Sequence, residues 1–71
     1  MPPEPMGDEV RQLDAALHQL PEQQKRALLL SQVEGLPYRQ IAEIERASVG
    51  TIKSRVSRAR EFLRATLSPD L

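Results

Sequence analysis

The chain has 71 residues with no cysteine, no tryptophan and one histidine, so it forms one small domain at most, without a disulfide framework, a thiolate metal site or a thiol nucleophile. So small a core leaves no room for a deep pocket, and we expect no enzyme activity, no cofactor, no metal and no small-molecule substrate. The formal net charge is zero, but residues 1–45 carry −4 and residues 46–71 carry +4, an asymmetry that hints at polyanion binding by the second segment.

The first half of the chain predicts a tail and two helices. Residues 1–7 hold three of the six prolines and no apolar periodicity, which predicts a flexible proline-rich tail or the stub of a linker. Asp8 suits an N-cap, and the helix expected over residues 9–19 has its apolar stripe at Val10, Leu13, Leu17 and Leu20. Pro21 ends this helix and suits the start of the next, expected over residues 21–34. Gly35 then supplies a left-handed conformation at the helix end.

The second helix has a broad apolar surface, and two more helices follow it. The apolar residues of the second helix, residues 27–30 and Val33, cover more than one stripe, as expected of a helix contacted from several sides. Pro37 is placed to open a third helix over residues 38–45, whose inward side chains we predict to be Ile41, Ala42 and Ile44.

Only residues 46–48 separate this helix from the next periodic run, and so short a turn forces two helices to cross at a steep angle. The fourth helix is expected over residues 49–67, with Ser48 as its N-cap and with an apolar stripe that begins at Val49. The sequence therefore predicts an all-α, compact four-helix bundle over residues 8–68 that ends in a helix-turn-helix.

The fourth helix carries a basic side opposite its apolar stripe. At about 100° per residue, the side chains that point most directly away from the stripe are Thr51, Ser54, Arg58 and Glu61. Small hydroxyl groups beside basic ones suit the DNA major groove, although an isolated basic amphipathic helix is more often a solvated face. Gly50, which costs helix stability, indicates either a close backbone approach or a tight crossing.

The other candidates have simpler explanations. His18 has no second histidine or cysteine to complete a metal site, and we expect a half-exposed side chain favoured by the helix C-terminal dipole. Tyr38 could donate to a phosphate but is more often a packing residue, and Phe62 is interpreted in the same way. The longest apolar run, residues 27–30, is far shorter than the ~18 residues of a membrane span, so no membrane partner is expected.

Several stretches resemble region 4 of the sigma-70 family of bacterial RNA polymerase sigma factors, and they are most similar to its extracytoplasmic-function (ECF) group. The resemblance covers about residues 10–65, and it is carried by residues 20–24, 28–30, 34–38, 41–44 and 49–61. The last stretch is the most specific. Its Ser-Arg-Val-Ser-Arg-Ala-Arg-Glu continuation distinguishes this group from response-regulator effector domains of similar shape.

The resemblance implies a winged-helix-like DNA-binding domain without a wing. Such a domain recognises the -35 promoter element in the major groove, docks on the flap of the RNA polymerase β subunit and catalyses nothing. It implies a cytoplasmic location. An intact factor also carries a domain for the -10 element, so the chain would be a fragment and residues 1–7 the end of an interdomain linker.

Site residues follow from the same resemblance. The positions implied to face bases or adjacent phosphates are Lys53, Ser54, Ser57 and Arg58. The positions implied in backbone contact or local support are Thr51, Arg55 and Arg60. Arg60 lies nearest the apolar stripe, so an internal ion pair is the alternative role for it.

Two residues depart from the family pattern, and one cluster suggests a regulator. Arg46 stands where many members have glycine, so either the turn is looser or Arg46 accepts a strained backbone. Glu45 stands where leucine is common, which removes one apolar contact near the turn. Residues 48–55 resemble the subgroup that governs the general stress response in alphaproteobacteria, which implies a small anti-sigma factor as a partner.

The alternative function is a sigma-like interaction module that binds an anti-sigma factor without binding DNA. Such a mimic is expected to lose basic residues from its fourth helix. This chain keeps Lys53, Arg55, Arg58 and Arg60. Those residues favour a DNA-binding domain.

Overall fold

The computed structural model describes residues 8–67, which form four helices and, within that range, no strand. The helices are α1 (Asp8–Gln19), α2 (Glu22–Gln32), α3 (Tyr38–Glu45) and α4 (Val49–Leu67). The predicted all-α, four-helix fold is confirmed. The predicted tail over residues 1–7 and the predicted domain end at residue 68 lie outside the described residues.

Two prolines set the starts of α2 and α3. Pro21 and Pro37 are the N-cap residues, with ψ of 144° and 152°, and neither needs the backbone N–H that proline lacks. Each accepts the first helical hydrogen bond on its carbonyl oxygen, from the N–H of Lys25 at 2.9 Å and from that of Ile41 at 3.1 Å. The chain therefore turns out of each extended proline directly into a helix.

The end of α2 lies at Gln32, two residues before the expected position. Gly35 takes the predicted left-handed conformation, with φ of 70°. The N–H of Leu36 returns to the carbonyl oxygen of Leu30 at 3.0 Å, which satisfies one of the free carbonyl groups of the helix end. The N–H groups of Val33 and Glu34 both donate to the carbonyl oxygen of Leu29, at 2.9 Å and 3.2 Å, so the turn widens after Gln32 and the regular helix ends before Gly35.

The core lies around α4, which packs against each of the other three helices. Its fully buried side chains Ile52, Val56 and Ala59 join Ile41 of α3 and Ala27 of α2 in one cluster. Burial of this stripe holds the side of α4 that carries Ile52 against the bundle. The opposite side of α4 is therefore exposed.

Several apolar side chains predicted to be inward are exposed, which corrects the prediction from periodicity. They are Val10, Leu13, Val33, Ile44 and Val49. Four of them lie at or just beyond an end of their helix. In a domain this small a helix end extends past its neighbours, so an apolar stripe is buried only along its middle.

The turn between α3 and α4 contains a left-handed residue. Arg46 has φ of 55° and ψ of 49°, so the structure has the strained backbone and not the looser turn. The N–H of Ala47 donates to the carbonyl oxygen of Ala42 at 3.0 Å, which closes the end of α3. A residue with a Cβ atom in this conformation costs about 1 kcal/mol or more.

Replacing Arg46 by glycine is expected to stabilise the domain by about 0.5–1 kcal/mol, because glycine avoids the Cβ clash of the left-handed conformation. The greater entropy of glycine in the unfolded chain offsets only part of this stabilisation. Denaturant unfolding followed by helical circular dichroism measures the change. Arg46→Ala is the matched control, since it removes the same side chain and keeps the Cβ atom. Equal stability of the two variants would contradict strain at this residue.

Candidate nucleic-acid interface

The exposed side of α4 gathers polar and basic side chains into one open depression. We call this surface the α4 outer face, and its residues are Gly50, Lys53, Ser54, Ser57, Arg58 and Glu61. All six are exposed. The structure therefore brings together the four residues that sequence reasoning placed at bases or adjacent phosphates.

The other three predicted site residues lie elsewhere on α4. Thr51 and Arg55 are half-buried and lie outside the α4 outer face. Arg60 is exposed and lines a separate apolar groove with Leu63 and Arg64. No ion pair of Arg60 is found among the side chains that the structure describes, so its alternative role as an internal ion-pair residue has no support there.

Ser48 is the N-cap of α4, as predicted. Its Oγ accepts the N–H of Thr51 at 3.1 Å, and its hydroxyl donates to Thr51 Oγ1 at 2.9 Å. The capping contact engages the Thr51 hydroxyl, which suits a supporting role for that residue. The first-turn N–H groups of a helix have no intrahelical partner, so those of Val49 and Gly50 add partial positive charge to this end of α4.

Gly50 does not mark a tight crossing inside the domain, and that part of the prediction is wrong. A Cβ atom built on Gly50 would meet only Ser48 Oγ, at 3.9 Å, which is ordinary van der Waals contact. The space beside Gly50 is open and belongs to the α4 outer face. The other predicted explanation, a close backbone approach at Gly50, stays a prediction.

The basic side chains of α4 are not neutralised by the rest of the described domain. Within residues 8–67 the ion pairs join His18 to Asp14, Lys25 to Glu22 and Arg26 to Glu45, and none includes a residue of α4. Lys53 and Arg58 therefore lie exposed without an ion pair, although the carboxylate of Glu61 shares the α4 outer face with them. Such a surface attracts a polyanion.

Of the remaining candidates, Tyr38 and Phe62 are packing residues as predicted, whereas His18 is more exposed than predicted. His18 is exposed and its Nδ1 lies 2.7 Å from the carbonyl oxygen of Asp14. Tyr38 and Phe62 are half-buried and pack against the core. No cluster of metal-ligating side chains occurs in the described part of the chain. Over the same residues, no helix combines the length and the apolar character needed to cross a bilayer.

Sequence reasoning missed two apolar grooves beside α2. The α2–α3 groove is lined by Arg26, Leu29, Leu30, Val33, Glu34, Ile44 and Glu45. The α1–α4 groove is lined by Leu13, Leu17, Leu28, Leu29, Gln32, Val33, Arg60, Leu63 and Arg64. The signal was the breadth of the apolar surface of α2, which exceeds what α3 and α4 cover.

The sequence matches the family described as Sigma-70, region 4, over residues 10–63. It is 47% identical to the ECF RNA polymerase sigma-E factor of Haemophilus influenzae over 53 residues, which are 75% of this chain and 28% of that protein. It is 42% identical to the RNA polymerase sigma-H factor of Pseudomonas aeruginosa over 62 residues, which are 82% of this chain and 32% of that protein.

The ECF RNA polymerase sigma factor EcfG of Rhodopseudomonas palustris is 47% identical over 62 residues, which are 87% of this chain and 34% of that protein. All three relatives are named as RNA polymerase sigma factors. The chain spans about a third of the length of these curated relatives.

Gly50→Ala is expected to leave the fold intact and to raise stability by up to about 1 kcal/mol, because the added methyl group meets open space and alanine is the better helix former. The same variant is expected to weaken binding of duplex DNA, since the methyl group stands where a backbone would approach. Thermal unfolding and fluorescence anisotropy measure the two effects.

Gly35→Ala is the control for stability, because alanine at a φ of 70° is strained and is expected to destabilise the domain. A Gly50→Ala variant with unchanged DNA affinity would show that nothing approaches the start of α4 closely.

Proposed function

The chain belongs to region 4 of the sigma-70 family, within the ECF group of RNA polymerase sigma factors, and from this membership we propose that it recognises the -35 promoter element in the DNA major groove and docks on core RNA polymerase. The observation that carries the proposal is the α4 outer face. Lys53, Ser54, Ser57 and Arg58 lie there together and are exposed, and neither Lys53 nor Arg58 has an ion-pair partner among the described side chains. The domain would act by binding and would catalyse nothing.

Within the proposal, each residue of the α4 outer face has a distinct task. Arg58 and Lys53 would contact base edges, where a good bidentate contact to guanine is worth about 1–3 kcal/mol of discrimination. Ser54 and Ser57 are short hydroxyl donors and acceptors that let α4 enter the groove and can bond either bases or phosphates. Sequence preference would come mainly from the two basic residues.

The remaining predicted residues would support the interface from its edges. Thr51 would stabilise the start of α4 through its hydrogen bond with Ser48. The free N–H groups of the first turn of α4 would then face a phosphate. Arg55 would contact the DNA backbone from the flank. We assign Arg60 to local support beside the α1–α4 groove, because that is where its side chain lies.

Phosphate contacts would supply most of the affinity. For each phosphate that a lysine or arginine neutralises, the logarithm of the binding constant falls by roughly 0.9 per decade of salt, so each such contact weakens binding about 3.5-fold between 50 and 200 mM. The acidic first half of the chain would stay away from the phosphates and face protein partners. Its formal charge of −4 over residues 1–45 favours that orientation.

The two apolar grooves beside α2 support the docking part of the proposal. Val33 borders both grooves and is 72% exposed, and Ile44 in the α2–α3 groove is 50% exposed. Exposed apolar surface of this kind marks protein interaction sites. We assign it to the flap of the polymerase β subunit and to an anti-sigma factor, and we place the protein with the transcription machinery in the cytoplasm.

The same grooves favour a second candidate function, which is a sigma-like module that binds an anti-sigma factor without binding DNA. Lys53 and Arg58 argue against it, because a pure interaction module has no use for two exposed basic residues outside the grooves. Discrimination between DNA sequences separates the two functions.

Arg58→Ala is expected to reduce discrimination at the base pair that Arg58 contacts by about 1–3 kcal/mol, and to weaken nonspecific binding much less. Affinities are measured by fluorescence anisotropy on a panel of duplexes that carry each single-base change in the preferred site. Arg64→Ala is the matched control, because it removes the same charge from the same helix at a residue that lines the α1–α4 groove.

The control is expected to lower all affinities on the panel by one common factor. An Arg58→Ala variant that discriminates as well as the unmodified chain at every base pair of the site would contradict the assignment of Arg58 to a base contact.

A further inference from the structure

One ion pair joins the scaffold of the domain to the turn that leads into α4. Nη2 of Arg26 in α2 donates to Oε2 of Glu45, and the two atoms are 2.7 Å apart. Glu45 is the last residue of α3 and lies 19 residues after Arg26 in the sequence. The Glu45 side chain is only 5% exposed, whereas that of Arg26 is 52% exposed. A carboxylate so far removed from water depends on the partner that satisfies it, so the geometry of Glu45 is tied to that of Arg26.

The position of this pair in the turn is what makes it consequential. Glu45 is followed by the left-handed Arg46 and then by Ser48, the N-cap of α4. The direction in which α3 ends therefore sets the direction in which α4 begins. If the backbone at Glu45 rotates, the few torsion angles of this short turn cannot compensate, and the start of α4 changes direction with it.

Apolar packing near this end of α3 comes from the turn, where Ala47 packs against the core. Ile41 and Ala42 are buried and fix the middle of the helix, but Ile44 is half exposed in the open α2–α3 groove. Among the described residues, the Arg26–Glu45 pair is the one ion pair between α2 and the final turn of α3.

We propose that Arg26 and Glu45 are positioning residues that set the angle of α4 for sequence recognition, a role that rests on the proposed function. Base-edge hydrogen bonds require donor and acceptor within about 2.7–3.2 Å and good alignment, whereas attraction to phosphates acts over about a Debye length. The buried side chains Ile52, Val56 and Ala59 keep α4 in the bundle even when the Arg26–Glu45 pair is removed. Loss of the pair therefore lowers discrimination between sequences before it lowers nonspecific binding.

The test breaks the pair from each side and compares each variant with a matched control. Glu45→Ala is compared with Glu43→Ala, which removes the same charge from an exposed residue of the same helix. Arg26→Ala is compared with Lys25→Ala, which removes a positive charge from the adjacent residue and breaks an ion pair within α2, at 3.6 Å to Glu22. Anisotropy with the preferred duplex and with a scrambled duplex gives one discrimination ratio per variant.

Both variants that break the pair are expected to lower the discrimination ratio by at least about fivefold, while both controls stay within about twofold of the unmodified chain. Affinity for the scrambled duplex should move in opposite directions, up for Glu45→Ala and down for Arg26→Ala, because the two changes have opposite charge. Arg26→Lys keeps a cationic donor for this single contact and should retain the ratio. Merely destabilising the domain would not produce this pattern.

Helical circular dichroism confirms that each variant is folded at the assay temperature, and Arg26→Ala serves alone if Glu45→Ala does not fold. Discrimination ratios equal to those of the matched controls would overturn the positioning role, as would an Arg26→Lys variant as poor as Arg26→Ala. An unmodified chain that shows no preference between the duplexes would instead overturn the proposed function. The two failures are therefore distinguishable.

Discussion

Burial of one stripe of α4 against three other helices is the constraint on which the rest of the domain depends. Ile52, Val56 and Ala59 are almost completely inaccessible to solvent, and α4 contacts each of the other helices. Because side chains follow the helical period, burial of this stripe also determines which residues face away from the bundle. The packing that stabilises the fold is thus the same packing that exposes Lys53 and Arg58 on one surface.

The domain divides its surface by charge and by polarity. The basic residues of α4 face solvent on one side, and the acidic first half contributes the apolar grooves on either side of α2. Exposing apolar side chains such as Val33 costs stability that a chain of this size can hardly spare, which is understandable if a partner covers them. Within the proposed function a small core is sufficient, because the domain would only have to hold one helix at a fixed angle between DNA and a protein partner.

Sequence reasoning succeeded where the signals are local. Pro21, Pro37, Gly35 and Ser48 act on the residues next to them, so the ends of the helices could be placed within a few residues and the cap of α4 could be named. Four site residues were placed together for the same reason, since they lie on one helix whose apolar stripe is clear.

Sequence reasoning failed where burial depends on neighbours distant in sequence. Ile44 fits the apolar pattern of α3 but faces a groove that no other helix covers. Glu45 looked like a lost apolar contact, and nothing near it in sequence indicated that Arg26 would reach it. The sequence also left two possibilities for Arg46, and only the path of the chain between α3 and α4 decided between them.

The central claim is that the α4 outer face recognises a DNA sequence, and selection of bound duplexes from a random pool tests it most directly. The selection is performed at low salt with the chain alone and with the chain fused to the flap of the polymerase β subunit, which supplies affinity that a single small domain lacks. Enrichment of one short motif, shared by both forms, is the predicted result. No enrichment from either form, with the protein folded, would contradict the account and favour the interaction module that binds an anti-sigma factor without DNA.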